Sequence, residues 1–367
     1  HEQFEKIPQS YEIQREILET ELLAVEQDLE TAEELGTEIS KKILKGLEIR
    51  KNNLGNKLKS IVRNIEERKD AGITFKDLGI DHLFVDESHK FKNLTFTTRH
   101  NRVAGLGNTE GSMRALNMLF AVRTLQEKFD ADLCATFLSG TPISNSLTEM
   151  YLIFKYMRPR EMARQHIENF DGWAAVFAKK TTDYEFNITN EIVAKERYRH
   201  FIKVPELALF YNEITDYKTA KHINLDKPEI EEVLVNIPLT PDQEEFSQRL
   251  MEFARTGNGL LIDRPPLTPS EDNARMLIAT NYAKKMALDM RLVGDQYSDH
   301  PNEKSNVCSR NVAEVYAEST PHKGTQIIFC DLGTPSSKGF NLYQALKDKL
   351  VNDFDIPAHE IAFIHDW

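Results

Sequence analysis

Two carboxylates, Asp86 and Glu87, stand side by side after the apolar run 80–85. A short apolar run that ends in acidic residues is typical of a buried parallel strand, and α/β proteins bind nucleotides at the carboxyl ends of such strands. There the first carboxylate can hold Mg²⁺ through its water shell, and the second can polarise a water that attacks a γ-phosphate. For this tetrapeptide alone, a solvent-exposed Asp-Glu turn that matches by chance is the commoner explanation.

A second candidate site follows the apolar run 133–138, which also reads as a buried strand. It consists of Ser139, Gly140 and Thr141, followed by a proline. A Gly-Thr-Pro turn is often turn chemistry and nothing more. Each of the two candidate sites follows a predicted strand, where ligand sites of α/β proteins lie.

Both segments resemble motifs of superfamily 2 nucleic-acid motors of the Swi/Snf type. Motif II of that family reads D-E-x-H followed by K-N, and motif III reads L-T/S-G-T-P-I-x-N-x-L-x-E. The matching residues here are Asp86, Glu87, His89, Lys92 and Asn93 for motif II and 138–149 for motif III. Segments 201–207 and 236–243 resemble the passage between the two motor lobes. Segments 287–293 and 326–332 resemble the second lobe of large helicase proteins of phages and mobile elements, which are often joined to an N6-adenine DNA methyltransferase. Segment 3–8 resembles the end of the motif I-to-II region in the same group.

The resemblance implies an α/β fold with two RecA-like motor lobes of the P-loop NTPase type, both incomplete, and a long inserted helical hairpin. Residues 1–70 would hold the end of the motif I-to-II region and the hairpin, and 71–222 the rest of the first lobe with a helical extension. The second lobe would begin within 223–367. The implied activity is ATP-dependent helicase or translocase action on double-stranded DNA, with ATP and Mg²⁺ as cofactors.

The resemblance also implies a role for each matching residue. Asp86 would hold Mg²⁺ through water, and Glu87 would be the catalytic base. His89 would link the nucleotide site to motif III, whose Ser139, Gly140 and Thr141 would couple hydrolysis to movement of the lobes. The candidates for nucleic-acid contact are Lys92, Asn93 and Asn145.

One departure from the family is large. The sequence contains no G-x-x-x-x-G-K-[ST], and the nearest glycine cluster, 105–111, has no lysine. The arginine-bearing motifs V and VI would fall after Trp367. We therefore expect the chain to be a fragment that is inactive as an ATPase by itself.

Apolar periodicity predicts the elements around these sites. Residues 11–34, and a second stretch from 39 to 65, favour two helices in an antiparallel hairpin, which we expect to protrude and to be able to dock a protein partner. Region 160–225 is predicted to be mostly helical. Further predicted elements are strands at 232–237, 325–330 and 361–364, helices at 111–129, 271–293 and 341–351, and a helix from about 147.

Composition limits the remaining choices. The 367 residues carry a net charge of −12, and residues 1–40 alone hold 12 acidic against 2 basic residues. The acidic excess is therefore local, and charge neither supports nor excludes DNA binding. No apolar run is long enough for a membrane span. The three cysteines form no CxxC pair, which argues against a cysteine metal site and indicates a reduced, cytoplasmic setting.

Two alternatives remain open from the sequence. One is a non-catalytic scaffold, in which the hairpin docks a partner and the Asp-Glu pair is vestigial. The other is a DNA-recognition part of a restriction, anti-restriction or DNA-methylation system, in which the motor is an accessory. The methyltransferase motif N-P-P-Y, which would favour the second, does not occur in the 367 residues.

Overall fold

The structure is a computed structural model with two compact units. It describes residues 3–34, 41–66, 73–99, 106, 109–144, 146–186, 192–223, 225, 228–335 and 339–366. Unit 1 comprises His1–Glu185 and Val193–Leu225, and unit 2 comprises Phe186–Ile192 and Asp226–Trp367.

Helices dominate both units. The helices of unit 1 are α1 (Tyr11–Glu34), α2 (Lys41–Glu66), α3 (Met113–Phe129), α4 (Thr148–Met157), α5 (Pro159–Arg164), α6 (Phe170–Phe177) and α7 (Val204–Asn212). The strands are β1 (Leu83–Val85), β2 (Ala135–Phe137), β3 (Ala178–Phe186) and β4 (Ile192–Phe201). Unit 2 contains α8 (Pro241–Thr256), α9 (Pro269–Asn273), α10 (Arg275–Leu288), α11 (Lys304–Ser319) and α12 (Leu342–Asn352).

Strands β1 and β2 pair in parallel, with Leu83 opposite Ala135 and Val85 opposite Phe137. The pairing continues past the strand ends, because Leu138 N donates to Val85 O at 2.8 Å and Ser88 N donates to Leu138 O at 2.9 Å. The prediction of two neighbouring parallel strands before the two motifs is confirmed, but the expectation that the first of them is buried is wrong, because Phe84 in the middle of β1 is 75% exposed. Both motifs therefore begin at the same edge of one small sheet.

Helix α3 connects these two strands along the chain and buries much of its length. It begins where the Ser112 hydroxyl accepts a hydrogen bond from Ala115 N, a standard N-cap. Its apolar side chains join a core that also contains α4 and α6, in which Trp173, Phe154 and Phe170 are almost fully buried. This packing fixes the sheet edge that carries the motifs.

The helical hairpin is present, but its expected protrusion is wrong. Ile13, Leu18 and Val25 of α1 and Leu47 and Leu54 of α2 are buried in the same core as α3 and α4. The apolar stripe of α1 has packed onto the body of unit 1 as well as onto α2, because a stripe this wide leaves apolar surface in water unless both sides are covered. Docking of a protein partner on the hairpin stays a prediction.

The prediction of a mostly helical region 160–225 is wrong in its middle. Strands β3 and β4 pair with each other there, between α6 and α7. The two segments are rich in Thr, Tyr, Val and Ile, which favour strands, and their charged residues hid the alternation.

Unit 2 packs α8 against α10 around Phe246, Phe253 and Met290. Thr240 and Gln243 form a capping box at the start of α8, and Gln243 Nε2 also donates to Met286 O at 2.8 Å. The predicted helices at 271–293 and 341–351 are found with small shifts, as α9, α10 and α12.

The three strands predicted in this half are wrong for the described residues. Segments 232–237, 325–330 and 361–364 carry no strand, and the last ends in a short 3-10 turn. Alternation in 232–237 and the apolar runs in the other two segments favour extended backbone, but a strand also needs a neighbouring backbone in register. The apolar side chains Leu234 and Phe329 are 85% and 90% exposed, so they do not pack against a neighbouring element.

None of the helices that the structure describes is both long enough and apolar enough to cross a bilayer.

Candidate functional site

The turn that follows β1 carries the two adjacent carboxylates. Asp86 and Glu87 are both exposed there, and Glu87 N donates to Asp86 Oδ1 at 2.9 Å. Glu87 has φ 50° and ψ 44°, a left-handed conformation that is uncommon for a residue with a side chain. Such backbone strain is concentrated at functional sites, where the surroundings hold it in place.

His89 connects this turn to the second motif. Its Nδ1 lies 3.1 Å from Glu87 Oε2 and 3.2 Å from Ser139 Oγ. A carboxylate can only accept, so the contact with Glu87 requires a proton on Nδ1. Ser139 Oγ in turn accepts from Thr141 N at 3.1 Å. Four motif residues thus form one chain of contacts from the first turn to the second.

A second contact joins the segment after β1 to the segment after β2, further along the chain from His89. Lys92 Nζ lies 2.9 Å from Glu149 Oε1, on the first turn of α4, and also contacts the Ser144 hydroxyl. Glu149 is buried, and its other oxygen accepts from Ser144 N at 2.6 Å. The carboxylate therefore holds both the lysine and the loop between β2 and α4.

The segment that follows Lys92 is held at its two ends. Ser112 N donates to Asn93 O at 2.8 Å, and Phe96 N donates to Thr109 O at 3.3 Å. Gly111 closes the loop with φ 67°, and a Cβ there would lie 2.5 Å from Thr95 N. Only glycine fits this approach of two backbones. Asn145 and positions 105, 107 and 108 of the glycine cluster lie outside the described residues.

Buried charges from the hairpin and α4 hold residues 95 and 96 in place. Arg50 Nη2 donates to Thr95 Oγ1 at 2.7 Å, and Arg50 also contacts Phe96 O. Lys155 Nζ donates to Thr95 O at 2.9 Å and pairs with Glu21 of α1. Burial lowers the pKa of Lys155, while Glu21 acts in the opposite direction. The hairpin thus contributes directly to the segment beside motif II.

The next residues are held by two further carboxylates. Asp171 accepts from Thr98 Oγ1 at 2.6 Å and from Arg99 N at 2.9 Å. Asp28 of α1 lies 3.8 Å from Arg99 Nε. Burial, with a smaller contribution from Asp171, raises the pKa of Asp28 to about 6. The start of the glycine-containing loop is therefore fixed by side chains from α1 and α6.

Unit 1 also contains a cavity of about 270 Å³ that lies apart from the motifs. Its lining comes from α1, α3 and the segment before β1, and includes Ile13, Phe75 and Leu125. No motif residue lines it, so the chemistry of the two motifs belongs to the exposed sheet edge.

The structure brings together most of the residues singled out from the sequence. His89, Ser139 and Thr141 are joined by contacts, Glu87 reaches His89, and Gly140 lies between them with open space at its α-carbon. Lys92 lies in the same cluster, but its ammonium already binds two protein groups, so its contact with nucleic acid stays a prediction. Asn93 contributes its backbone carbonyl.

Sequence reasoning missed the importance of Glu149 and Ser144. Both belong to the motif III segment. The sequence did contain a signal for Glu149, because a glutamate in the first turn of an otherwise apolar helix must either face solvent or pair with a cation. The buried state of this carboxylate was not apparent from the sequence.

Comparison with protein families identifies the class. The model of a family described as a probable helicase domain matches residues 1–219, which is more than half of the chain. This protein belongs to that family. The matched region includes the hairpin, both motifs and the β3–β4 pair.

A phage protein is among the relatives of this chain. The chain is 25% identical over 194 residues to the "Defense against restriction protein B" of Escherichia phage P1. The match covers 51% of the chain and 9% of the phage protein, so the chain spans a small part of that relative's length. No solved structure matches this chain.

Proposed function

We propose that this chain is part of an ATP-driven motor of superfamily 2, of the Swi/Snf type and built on RecA-like lobes, that moves along or remodels double-stranded DNA. The single observation that carries the proposal is the parallel pairing of β1 with β2, which joins Asp86-Glu87 to Ser139-Gly140-Thr141 through His89. Ligand sites of α/β proteins lie at such strand ends.

The donor set at the first turn fits a magnesium ion held largely through water. Mg²⁺ prefers oxygen ligands and usually keeps several of its waters, and the exposed Asp86 offers a carboxylate at the end of a strand. When bound, the ion would supply charge neutralisation for a triphosphate. Glu87 is the residue placed to accept a proton from an attacking water.

His89 orients that base. Its Nδ1 contact holds the Glu87 carboxylate, and its second contact places Ser139 within reach of the same imidazole. A displacement of the loop that follows β2 would therefore change the position of Glu87. This relation is what a motor needs in order to couple hydrolysis to movement of its lobes.

The residues present do not fit a complete triphosphate site. A phosphate-binding loop supplies backbone N–H groups and a lysine to the phosphates, and the 367 residues contain no such sequence. In such a motor, that loop and an arginine for the transition state would come from other parts of a longer polypeptide. A methyltransferase domain in the same polypeptide belongs to this proposal, as does a cytoplasmic setting, with which the free cysteines agree.

A second candidate function is a non-catalytic role in protection against restriction, in which the fold binds DNA or a partner protein. The observation that favours it is the similarity to a phage protein named for defense against restriction. In that case the contacts of Glu87 would serve folding and not hydrolysis.

One experiment separates the two functions. In the longer protein that carries this chain and a phosphate-binding loop, Glu87→Gln should abolish DNA-stimulated ATP hydrolysis and leave ATP binding intact. Glu206→Gln, an exposed glutamate of α7 in the same unit, is the matched control and should keep wild-type turnover. Protection of DNA against restriction that survives Glu87→Gln without loss would contradict the motor and support the scaffold.

A further inference from the structure

A cluster of three carboxylates lies in unit 2, where α10 ends and α11 begins. Asp289, Asp299 and Glu303 place oxygens within 4.8 Å of one another. Asp289 and Glu303 are 0% and 1% exposed, whereas Asp299 is exposed. Two buried carboxyl groups in contact are costly unless each charge is compensated.

Two of the three carboxylates are fully compensated. Arg291 donates to both oxygens of Asp289, at 2.9 and 2.8 Å, and also lies 2.8 Å from Asp299. Ser305 Oγ donates to Asp289 Oδ2 at 2.6 Å. Lys349 of α12 lies 2.9 Å from the second oxygen of Asp299.

Glu303 is the exception. Its Oε1 accepts from Met290 N at 3.0 Å, but its Oε2 is buried and receives no hydrogen bond from the described residues. An ionised carboxylate in this position would bear an uncompensated charge against Asp289. A proton on Oε2 removes that charge and turns the oxygen into a donor toward its neighbour.

A divalent cation is the other species that could satisfy the orphaned oxygen. It would need oxygens of Asp289 and Asp299 that already accept from Arg291 and Lys349, and it would have to bind beside these two cations. A proton needs no vacant coordination position and brings half the charge. A protonated Glu303 beside Asp289 leaves the ion pairs of Arg291 and Lys349 intact, so it costs less free energy than a bound cation.

We propose that Asp289 and Glu303 hold one proton between them, and that this proton fastens the end of α10 to the start of α11 in a contact that loosens when the proton is released. Burial raises the pKa of Glu303 to about 7, with Asp289 adding to the rise. Burial acts to raise the pKa of Asp289 too, but hydrogen bonds from Arg291, Ser305 and Glu303 lower it overall. Because Glu303 Oε2 receives no hydrogen bond from the described residues, the shared proton is bound to this oxygen and is donated toward Asp289.

The sign of the pH dependence follows. The ordinary pKa of a glutamate is 4.5 and the folded value is about 7. The folded state therefore binds more protons than the unfolded state between these values, and stability falls as pH rises through this range. The contribution of Glu303 to the stability of unit 2 is complete below pH 4.5 and is lost above about pH 7. The charged groups that face the pair are Arg291, Asp299 and Lys349, and His300 lies in the same loop.

Thermal unfolding of the 367-residue chain tests the proposal. The melting temperature of unit 2 should fall by several degrees between about pH 5.5 and about pH 8 in EDTA, and Glu303→Gln should remove most of this fall because its amide N–H can donate to Asp289 at every pH. Glu314→Gln, an exposed glutamate on α11, and His300→Gln should both keep the fall. A fall that persists in Glu303→Gln, or disappears in His300→Gln, overturns the proposal.

A second measurement needs no variant. Amide exchange of the wild-type chain, corrected for the intrinsic effect of pH, should show loss of protection at residues 289–294 at about pH 8 relative to about pH 5.5. Protection that does not change with pH contradicts the shared proton. Millimolar Mg²⁺ or Ca²⁺ that raises the melting temperature of the wild type, and not of Glu303→Gln, shows a cation site instead and also overturns it.

Discussion

Lys92 Nζ and Glu149 Oε1 lie 2.9 Å apart and join the segment that follows β1 to the helix that follows β2. The contact of His89 with Ser139 joins the same two segments closer to the sheet. The Lys92–Glu149 ion pair and the His89–Ser139 hydrogen bond therefore connect the two motifs at two separate points. Any movement of the second motif must therefore carry the first with it or break a buried ion pair.

Removal of the lysine should destabilise unit 1. We expect Lys92→Met to lower the free energy of unfolding by about 1–3 kcal/mol, because the buried Glu149 carboxylate loses its cation. Addition of Glu149→Gln should restore part of the loss, because the neutral amide no longer needs a cation. Urea denaturation of the two single variants and the double variant measures this coupling.

Lys128→Met provides the matched control for that cycle. Lys128 pairs with Asp81 at the surface, where both side chains are exposed. Exposed pairs contribute about 0–1 kcal/mol, so this variant should unfold almost like the wild type. Equal losses for Lys92→Met and Lys128→Met would show that the buried carboxylate does not depend on its lysine.

The hairpin of α1 and α2 should contribute to the free energy of unfolding of unit 1. Leu18 of α1 is 2% exposed in the common core, whereas Leu23 on the same helix is 56% exposed. Leu18→Ala should therefore cost about 2–5 kcal/mol through lost burial and a cavity, and Leu23→Ala should cost little. If the two variants show the same melting temperature, α1 does not share the core.

The part of the site that could be predicted is the part encoded locally. Two apolar runs, each followed by polar turn residues, gave β1 and β2 and their common edge, because strand and turn patterns are both short-range. The contact of His89 with Ser139 followed from the resemblance between these segments and known motifs. The burial of Glu149 could not be predicted from the sequence, because it depends on how α4 packs against the rest of unit 1.

The errors have a common physical origin in tertiary contacts. The apolar stripe of α1 predicts a helix, but nothing in the stripe states which surface covers it. Segments 325–330 and 361–364 are short apolar runs like those of buried strands, yet a strand exists only with a hydrogen-bonded neighbour. Charged residues in β4, such as Glu196 and Arg197, are as common on the surface of a helix as on the exposed face of a strand, so they did not distinguish the two.

The stability of unit 1 should decline as pH rises from about 4 to about 6 because of Asp28. Its folded pKa of about 6 exceeds the ordinary 3.8, so its contribution is complete below 3.8 and lost above about 6. A difference of about two pH units corresponds to about 3 kcal/mol for a side chain that is 19% exposed. Asp28→Asn should flatten this decline in urea denaturation across the range, whereas Glu30→Gln, exposed on the same helix, should not. A decline of unchanged steepness in Asp28→Asn would assign it to another group.

The 367-residue chain should bind ATP weakly and should not hydrolyse it. The backbone cradle and lysine of a phosphate-binding loop supply most of the affinity for a triphosphate, and the sequence has neither. An arginine for the transition state, which contributes about 10³- to 10⁵-fold in rate, would also have to come from elsewhere. Calorimetry with ATP and Mg²⁺, and a phosphate-release assay with and without duplex DNA, measure the two quantities. Glu87→Gln should leave both at the wild-type level, because a carboxylate without a positioned phosphate has no water attack to promote. Turnover by the wild-type chain that disappears in Glu87→Gln and persists in Glu206→Gln would instead place a complete nucleotide site within these residues.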